Sequence, residues 1–224
     1  QMRYFMPHLL ALSTSSPFWQ GNNTGFKSFR SIIFEDLPRT GIPEVFESYQ
    51  DYKNYTKTLI KCNSISDPTK IWWDIRPHPI YPTLEFRICD CCTRLNDAIG
   101  IAALIQALVA KLITLRNSNQ TWRNYRGSLI HENKWRATQK GIASNLLDLG
   151  RNKEVPYKKL MYEMLEFVSD VSDDLGVLFH LQAIEDIIEN GSSADRQLAI
   201  FKQTNDLKSV VDNLIQETGK EINN

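Results

Sequence analysis

Residues 82–90 read PTLEFRICD, and this stretch gives the first prediction about the fold. Side chains alternate between the two faces of a β-strand. Glu85 and Arg87 are therefore expected on one face of a strand, and Leu84 and Phe86 on the other. The apolar face indicates a buried core, and the polar face is either exposed to solvent or part of a functional site.

A long apolar run, AIGIAALIQALVA at 98–110, follows the strand closely. It predicts a largely buried helix from Thr93, as N-cap, to about residue 115. We expect Phe86 to be buried beneath residues 97–115 of this helix. Because the apolar run is shorter than the roughly 20 residues that a membrane span needs, no membrane association is expected.

The chain changes character after residue 92. Residues 1–92 are rich in proline, glycine, aromatic residues and turn signals, and we predict loops there, with short strands only at 71–75 and 83–88. Residues 93–224 are predicted to be the helical part of the same domain. Further helices are predicted at 119–125, 131–148, 157–176, 177–190, 192–203 and 205–218. One apolar stripe at helical spacing is predicted to lie in the core: Tyr157, Leu160, Met161, Met164 and Phe167.

This pattern favours an α+β fold that is mostly helical. Two short strands do not form a stable sheet by themselves, because an isolated hairpin is marginal in water. Either helices cover these strands or further strands complete the sheet.

Charge and cysteine content exclude some classes of function. Lysine plus arginine and aspartate plus glutamate number 26 each, so no net charge attracts nucleic acid, and we expect no nucleic-acid partner. Three of the four cysteines lie in CDCC at 89–92, a spacing unlike a disulfide framework or paired zinc ligands. They are expected to be reduced thiols of a cytoplasmic protein.

Five segments occur in order along the chain: PHLLALSTSSPFWQGNNTGFKSFRS at 7–31, LPRTGIP at 37–43, WWDIRPHPIYPTLEFRICD at 72–90, ENKWRATQKG at 132–141 and GSSADRQL at 191–198. Together they resemble the carboxylate-amine ligase family related to type-2 glutamate-cysteine ligases. The resemblance extends from about residue 4 to residue 205.

The resemblance implies an ATP-dependent ligase. Such an enzyme activates the gamma-carboxylate of glutamate as an acyl phosphate, and an amine, cysteine's in the best-known members, displaces the phosphate. It also implies the fold of glutamine synthetase and the guanidino kinases, a curved antiparallel sheet backed by helices, with nucleotide and metals on its concave face. The expected cofactors are ATP and Mg²⁺, the expected partners are glutamate and an amine, and a homo-oligomer is expected.

Glu85 and Arg87 supply the two kinds of group that phosphate transfer requires. Divalent ions held by carboxylates and arginine side chains both neutralise phosphate oxygens. By resemblance, Glu85 is a magnesium ligand and Arg87 is a catalytic residue that binds phosphate. Without the surrounding motifs, the same spacing favours an ion pair on the surface of an edge strand.

Arg76 and the 15–30 loop supply further candidates. Arg76 is a second candidate for binding phosphate or nucleotide, and an ion pair with Asp74 is the alternative. Trp19, Thr24 and Arg30 are candidate substrate-binding residues, with Arg30 holding the alpha-carboxylate of an amino acid. The alternative is an ordered loop in which Trp19 is buried.

Five polar or aromatic residues in the helical part also match family motifs: Asn133, Trp135, Arg136, Asp195 and Arg196. Their chemistry is not assigned, because helix capping and ion pairs between helices explain them equally well.

The resemblance begins after the part of the family that carries an acidic cluster for magnesium and closely spaced histidines. Glu85 alone does not provide enough oxygen ligands for a metal. We therefore expect the C-terminal part of a glutamine-synthetase-like catalytic domain, with a remnant of the curved sheet and no activity by itself. The alternative is a truncated, non-catalytic homologue that acts as an interaction or regulatory module through its exposed apolar surface.

Overall fold

The computed structural model describes residues 1–220, so the last four residues of the predicted helical part lie outside it. The described residues form nine α-helices: α1 (Met6–Ser13), α2 (Phe29–Glu35), α3 (Tyr49–Lys61), α4 (Leu95–Asn117), α5 (Gly127–Lys140), α6 (Tyr157–Asp174), α7 (Gln182–Asn190), α8 (Ser193–Thr204) and α9 (Leu207–Lys220). Helices dominate the second half of the chain, as predicted.

Eight short strands lie among the described residues: β1 (Phe18–Trp19), β2 (Asn22–Asn23), β3 (Thr40–Gly41), β4 (Trp72–Trp73), β5 (Ile75–Pro77), β6 (Leu84–Phe86), β7 (Asn145–Asp148) and β8 (Lys153–Pro156). They pair two by two, β3 with β4 in parallel and the other three pairs antiparallel. The fold class is α+β. Within residues 1–220 no sheet exceeds two strands, so the expected curved sheet is absent as one continuous sheet.

The first half of the chain is more helical than predicted. α1, α2 and α3 lie where loops were expected, so that prediction is wrong. Every residue of α1 is buried, and this helix packs against α4 and α5 in the main core. Pro7 lies in the first turn of α1, a position that tolerates proline because the backbone N–H there has no helical partner. Ser28 and Ser48 cap α2 and α3 with their side chains.

α4 is the predicted helix, but it is buried on one face only: Leu104 and Leu108 are completely buried, whereas Leu95, Ile99 and Ile113 are exposed, so the prediction of a largely buried helix is wrong. Arg94, not Thr93, is its N-cap residue. The Thr93 hydroxyl instead donates a hydrogen bond to Glu217 Oε2 at 3.0 Å and lies 3.1 Å from Ser193 Oγ, and so links the start of α4 to α8 and α9.

The 23 residues of α4 are long and apolar enough to cross a membrane, contrary to the expectation from the shorter apolar run. Length and composition are weak evidence, because the core helix of a soluble protein meets the same criteria. Here α4 packs against α1, α6 and α7.

Two predicted helices are wrong in whole or in part. Residues 120–126 have no regular structure, because the Trp122 ring packs against Tyr4, Phe5 and Phe167 instead of continuing a helix. The helix predicted at 131–148 ends at Lys140, and its last residues form β7.

Two residues explain why α5 ends and is followed by β7. Gly141 at its C-cap has φ +54°, a left-handed conformation that glycine adopts most easily. The Asn133 side chain bonds both the N–H and the carbonyl of Leu147, at 2.7 and 2.8 Å. The β7–β8 hairpin is thereby fixed against α5.

The remaining helical predictions are confirmed. α6 buries Tyr157, Leu160, Met161 and Met164, and Phe167 packs against the same core. The segment predicted as a helix at 177–190 is a short 3-10 turn at Leu178–Leu181 followed by α7. α7 ends at Gly191, which has φ +98°.

His8 predicts a specific pH dependence of stability. Burial lowers the pKa of its imidazole from 6.5 to about 4. As the pH falls from 6.5 towards 4, the unfolded chain binds a proton that the folded chain does not, so the free energy of unfolding decreases by about 3 kcal/mol. His8→Phe removes this contribution. Urea unfolding of the parent and of His8→Phe between pH 7 and pH 4 should show that the free energy of unfolding of the parent falls more steeply. An equal dependence on pH in the two proteins would contradict this prediction.

Candidate functional site

The β5–β6 hairpin carries the central candidates. Arg76 lies directly opposite Glu85 in the antiparallel register, and Arg87 follows β6. Arg76 Nε donates to Glu85 Oε2 at 2.9 Å, Arg76 Nη2 lies 2.8 Å from the same oxygen, and Arg87 Nη1 donates to Glu85 Oε1 at 2.6 Å. The prediction that Glu85 and Arg87 share one face is confirmed. One carboxylate thus orients two guanidinium groups.

Arg76 is tied into the fold on its other side as well. Its Nη1 donates to the carbonyls of Pro68 and Ile71, at 2.9 and 2.7 Å, and the residue is buried. The alternative pairing of Arg76 with Asp74 does not occur, because Asp74 binds Lys134 Nζ at 2.7 Å. The role of Arg76 in binding phosphate or nucleotide stays a prediction.

Arg30 is brought to the same place by α2. Its Nη2 donates to the backbone carbonyl of Arg87 at 2.9 Å, and its Nη1 lies 3.7 Å from Asp90 Oδ1. The guanidinium also stacks over the Phe34 ring, 4.6 Å from its centre. We call Arg30, Arg76, Glu85 and Arg87 the arginine cluster. The tertiary structure therefore joins three candidates from the hairpin with one from the 15–30 loop.

The charges in and around the arginine cluster balance. Three guanidinium groups face the carboxylates of Glu85 and Asp90, and the neighbouring Lys134 pairs with both Asp74 and Glu35, so four cations meet four carboxylates. Burial opposes ionisation of Glu85, but hydrogen bonds from Arg87 and Arg76 outweigh it and hold its pKa below the ordinary value. Nε of Arg87 is buried and has no hydrogen-bond partner among the described residues. The Arg87 guanidinium is therefore only partly paired, and its exposed part, not the buried Nε, is open to a ligand.

Trp19 and Thr24 lie in the β1–β2 hairpin. The side chain of Trp19 is half exposed, at 49%, so the alternative of a buried Trp19 is wrong. Its ring packs 5.9 Å from that of Phe29, the residue before Arg30. Thr24 Oγ1 donates to the carbonyl of Pro17 at 2.9 Å and stabilises the turn. Their roles in substrate binding stay predictions.

The residues present do not by themselves form a magnesium site. Among residues 1–220 there is no group of three or more histidine, cysteine, aspartate or glutamate side chains arranged to hold a metal. Both oxygens of Glu85 already accept hydrogen bonds from guanidinium groups, which repel a cation. The geometry directly supports a role for Glu85 in orienting Arg76 and Arg87, and its role as a metal ligand stays a prediction.

Sequence reasoning missed a buried lysine beside the arginine cluster. Lys134 is 2% exposed, and its Nζ binds Asp74 Oδ2 at 2.7 Å and Glu35 Oε1 at 3.2 Å. Burial raises the pKa of Asp74 even though Lys134 stabilises its charged form. The available signal was helical spacing, because Lys134 lies on the same face of α5 as the buried Ile130 and Ala137.

The motif residues of the helical part have structural roles. Asn133 holds β7, and Arg136 pairs with Glu132 and Glu154, each within 2.9 Å. Asp195 completes a capping box with Ser192 and pairs with Lys27. Trp135 is 46% exposed and belongs to the surface of α5.

Arg196 links three helices. It binds Glu217 Oε1 at 2.8 Å and Asp97 Oδ2 at 3.3 Å, which joins α8 to α9 and α4. These contacts agree with the expectation that ion pairs between helices account for this residue.

All four cysteines are free, as predicted. Burial raises the pKa of the Cys89 thiol to about 11 and that of Cys92 to about 12. Both thiols are therefore protonated at neutral pH and are poor nucleophiles.

An apolar surface extends from the β5–β6 hairpin across α4. Two adjoining cavities of about 580 and 730 Å³ both include Pro77, Leu84 and Val109 in their walls. Phe86 lines the second cavity together with residues of α4 but is only half buried, so the prediction that it is buried beneath this helix is wrong in part. Several large apolar side chains are exposed here: Val45, Ile80, Tyr81, Leu84 and Ile113. We call this region the α4–hairpin surface.

Comparison with protein families identifies the family of this chain. Residues 1–213 match the model of glutamate-cysteine ligase family 2. The chain belongs to this family. The resemblance inferred from the five motifs is thereby confirmed.

Three curated members of glutamate-cysteine ligase family 2 illustrate the similarity, each named "Putative glutamate--cysteine ligase 2". The protein from Roseiflexus castenholzii is 55% identical over 216 residues, which are 96% of this chain and 57% of the relative. That from Chloroflexus aurantiacus is 53% identical over 96% of this chain and 55% of the relative. That from Sorangium cellulosum is 48% identical over 97% of this chain and 58% of the relative. The chain thus spans little more than half the length of these family members.

Proposed function

We propose that this chain is part of an ATP-dependent ligase that joins the gamma-carboxylate of glutamate to an amine through an acyl phosphate. Membership of glutamate-cysteine ligase family 2 supports the ligase class, and the names of the relatives support glutamate and cysteine as substrates. The observation that carries the proposal is the arginine cluster, in which Glu85 orients Arg76 and Arg87 and 28% of the Arg87 side chain stays exposed.

In this proposal Arg87 binds an oxygen of the transferred phosphate. A guanidinium group neutralises developing negative charge and offers several donors in a fixed plane. The gap between Arg87 and Lys134 measures only about 10 Å³, so a phosphate has to approach from the solvent side, where 28% of the Arg87 side chain is exposed. Glu85 and Arg76 hold the guanidinium of Arg87 in position, and Arg30 supports its backbone.

We further propose that activity requires the additional length present in the relatives. A glutamine-synthetase-like sheet needs more strands than the two of the β5–β6 hairpin, and the α4–hairpin surface provides an apolar base on which they would pack. ATP and Mg²⁺ are the proposed cofactors, with metal ligands supplied mainly outside residues 1–220. A cytoplasmic location and a homo-oligomer are also part of the proposal.

The second candidate function is a non-catalytic interaction module, and the exposed α4–hairpin surface is the observation that favours it. The two functions differ in one measurable property. A ligase releases phosphate from ATP only when glutamate and a suitable amine are both present, whereas an interaction module does not.

The test is a phosphate-release assay on the 224-residue chain and on the full-length protein that contains it. Each is given ATP, Mg²⁺, glutamate and either cysteine, another amino acid or a small amine. We expect glutamate-dependent release from the full-length protein and none from the 224-residue chain. Robust turnover by the shorter chain would contradict the proposed incompleteness, and no turnover with any amine would favour the interaction module.

A further inference from the structure

Asp90, just beyond β6, lies at the base of the 15–30 loop. Its side chain is only 1% exposed. The carboxylate accepts hydrogen bonds from the loop: Oδ2 accepts from the N–H of Ser15 at 3.0 Å and from Ser16 Oγ at 2.8 Å, and Oδ1 accepts from Ser28 Oγ at 2.8 Å. One buried carboxylate therefore binds both ends of the loop.

The backbone closes the loop at the same place. Ser16 and Ser28 face each other in an isolated bridge. The N–H of Ser16 donates to the carbonyl of Lys27 at 3.1 Å, and the N–H of Phe29 donates to the carbonyl of Ser16 at 2.9 Å. The β1–β2 hairpin, which carries the other substrate candidates, lies between these two ends. Asp90 thus supports the base of a closed loop.

Asp90 reaches Arg30 in two ways. The N–H of Arg30 donates to Ser16 Oγ at 3.1 Å, and this hydroxyl donates to Asp90. The guanidinium lies close as well, with Nη1 3.7 Å from Asp90 Oδ1. Its Nη2 donates to the carbonyl of Arg87 at 2.9 Å, and 31% of the Arg30 side chain is exposed. Asp90 therefore fixes both the backbone and the side chain of Arg30, and part of that side chain can still meet a ligand.

The negative charge of Asp90 is needed for only one of these contacts. An asparagine keeps one carbonyl oxygen for the N–H of Ser15 and the hydroxyl of Ser16. Its amide group can donate to the hydroxyl of Ser28, because a hydroxyl accepts as well as donates. It loses the attraction for the Arg30 guanidinium and places a donor beside it. Asp90→Asn therefore weakens the hold on Arg30 more than the closure of the loop.

We propose that Asp90 is a positioning residue: it holds Arg30 at a fixed distance from Arg87 and so sets where the alpha-carboxylate of glutamate lies relative to the transferred phosphate. This inference rests on the proposed ligase function and on the predicted role of Arg30. Glu85, not Asp90, orients the guanidinium of Arg87. Loss of the Asp90 charge should therefore weaken glutamate binding more than it slows phosphate transfer.

Asp90→Asn in the full-length protein should raise the KM for glutamate roughly tenfold, the worth of one charged contact, and should lower kcat less than about threefold. A variant that only folds less well contains less active enzyme, so its kcat falls while its KM stays unchanged. Initial rates of phosphate release are measured against glutamate concentration, at saturating ATP and with an amine that the parent protein uses. The split between KM and kcat separates positioning from a purely structural role.

Arg30→Gln tests whether Asp90 acts through Arg30. This variant should raise the KM for glutamate by itself. Adding Asp90→Asn to it should raise the KM less than about threefold further, because the two side chains serve one contact.

Asp148→Asn is the matched control. Asp148 is also a buried aspartate that accepts hydrogen bonds from backbone N–H groups and pairs with an arginine, but it lies at the end of β7. Its substitution should leave the KM for glutamate within about twofold of the parent value, as expected for an independent site.

Hydrogen exchange tests the hold on the loop without reference to catalysis. Ser16→Ala is a small change that removes the hydroxyl joining the N–H of Arg30 to Asp90. Exchange of the amides of residues 15–30 should become roughly tenfold faster in this variant, with the amides of α6 unchanged. Asp148→Asn should leave the amides of the loop as slow as in the parent.

The proposal is overturned if Asp90→Asn leaves the KM for glutamate unchanged or lowers kcat alone. It is also overturned if the effects of Asp90→Asn and Arg30→Gln multiply, or if Ser16→Ala leaves exchange in the loop unchanged. Failure of the ligase proposal is a different result: the parent protein then shows no glutamate-dependent release, which removes the substrate role of Asp90 whatever the exchange rates are.

Discussion

Under the proposed ligase function, replacing Arg87 by lysine in the full-length protein is expected to reduce glutamate-dependent phosphate release by roughly 10²-fold, the scale for losing one preorganised electrostatic group. Arg87 Nη1 is held by Glu85 at 2.6 Å while its Nε remains without a partner. A lysine ammonium is a point charge and does not keep one contact to Glu85 while presenting a second donor in a fixed plane.

Glu85→Gln should cause a loss of similar size. The amide carries no charge, so it holds Arg76 and Arg87 less tightly than the carboxylate that now accepts a hydrogen bond from each of them. Both the orienting role and the predicted metal role lead to this outcome. They differ in the dependence on Mg²⁺, because only loss of a metal ligand should raise the Mg²⁺ concentration needed for half-maximal rate.

Arg136→Lys is the matched control. Arg136 also pairs with two glutamates, but these are Glu132 of α5 and Glu154 of the β7–β8 hairpin, and neither belongs to the β5–β6 hairpin. Its turnover should stay within a factor of about three of the parent, as for a surface ion pair worth under 1 kcal/mol. Thermal unfolding of each variant separates loss of catalysis from loss of fold. Full activity of Arg87→Lys, with the control also active, would contradict the assignment of Arg87.

Lys134→Met is expected to lower the free energy of unfolding by roughly 3–5 kcal/mol, the cost of breaking a buried ion pair from one side. Methionine approximates the volume of the lysine stem but leaves Asp74 buried without its cation, since Nζ of Lys134 lies 2.7 Å from Asp74 Oδ2. Because the Asp74 backbone accepts a hydrogen bond from the N–H of Arg87 at 2.8 Å, this loss should also disturb the arginine cluster. Urea unfolding at neutral pH measures the effect.

The pH dependence of the Lys134→Met variant follows from Asp74. Burial already raises the pKa of Asp74 in the parent, and removing Lys134 raises it further. A folded-state pKa above the unfolded one means that protonation favours the folded chain, so the variant should recover part of its stability as the pH falls. The difference in free energy of unfolding between the variant and the parent should therefore decrease from pH 7 towards pH 4.

Two further variants test whether the buried ion pair of Lys134 causes the loss of stability. Lys134→Met combined with Asp74→Leu removes both charges and should be more stable than Lys134→Met alone. Lys208→Met is the surface control, because Lys208 is highly exposed and pairs with Asp212 only across one helical turn, so its effect should stay below about 0.5 kcal/mol. A loss at Lys134 no larger than that at Lys208 would show that the buried pair contributes nothing.

Local sequence determined the features that depend on neighbouring residues. The alternation around Glu85 predicts a strand with Glu85 and Arg87 on one face, and the structure has both. The helical spacing from Tyr157 to Phe167 predicts the buried face of α6. Gly191 ends α7 because its left-handed conformation is easily adopted by glycine. The five motifs also identified the family, which the match over residues 1–213 confirms.

Tertiary contacts decided the features for which local preference was weak or misleading. Residues 120–126 have helical composition in part, but burying the Trp122 ring among Tyr4, Phe5 and Phe167 stabilises an irregular backbone instead. α1 is short and contains a proline, and it forms because burial of all its side chains outweighs a weak helical propensity. In both cases the hydrophobic contacts come from segments distant in sequence.

The candidate site shows the same division between what local sequence determines and what tertiary contacts determine. The motifs named Arg30, Arg76, Glu85 and Arg87, but nothing in their spacing indicated that Arg30 Nη2 would bind the carbonyl of Arg87, 57 positions away. Lys134 was missed because a lysine is usually exposed, and only the nearby Asp74 and Glu35 allow it to be buried. The sequence by itself determined which chemical groups are present and which neighbours share a face. The tertiary structure decided which charges meet, because ion pairing depends on distances that only the folded chain sets.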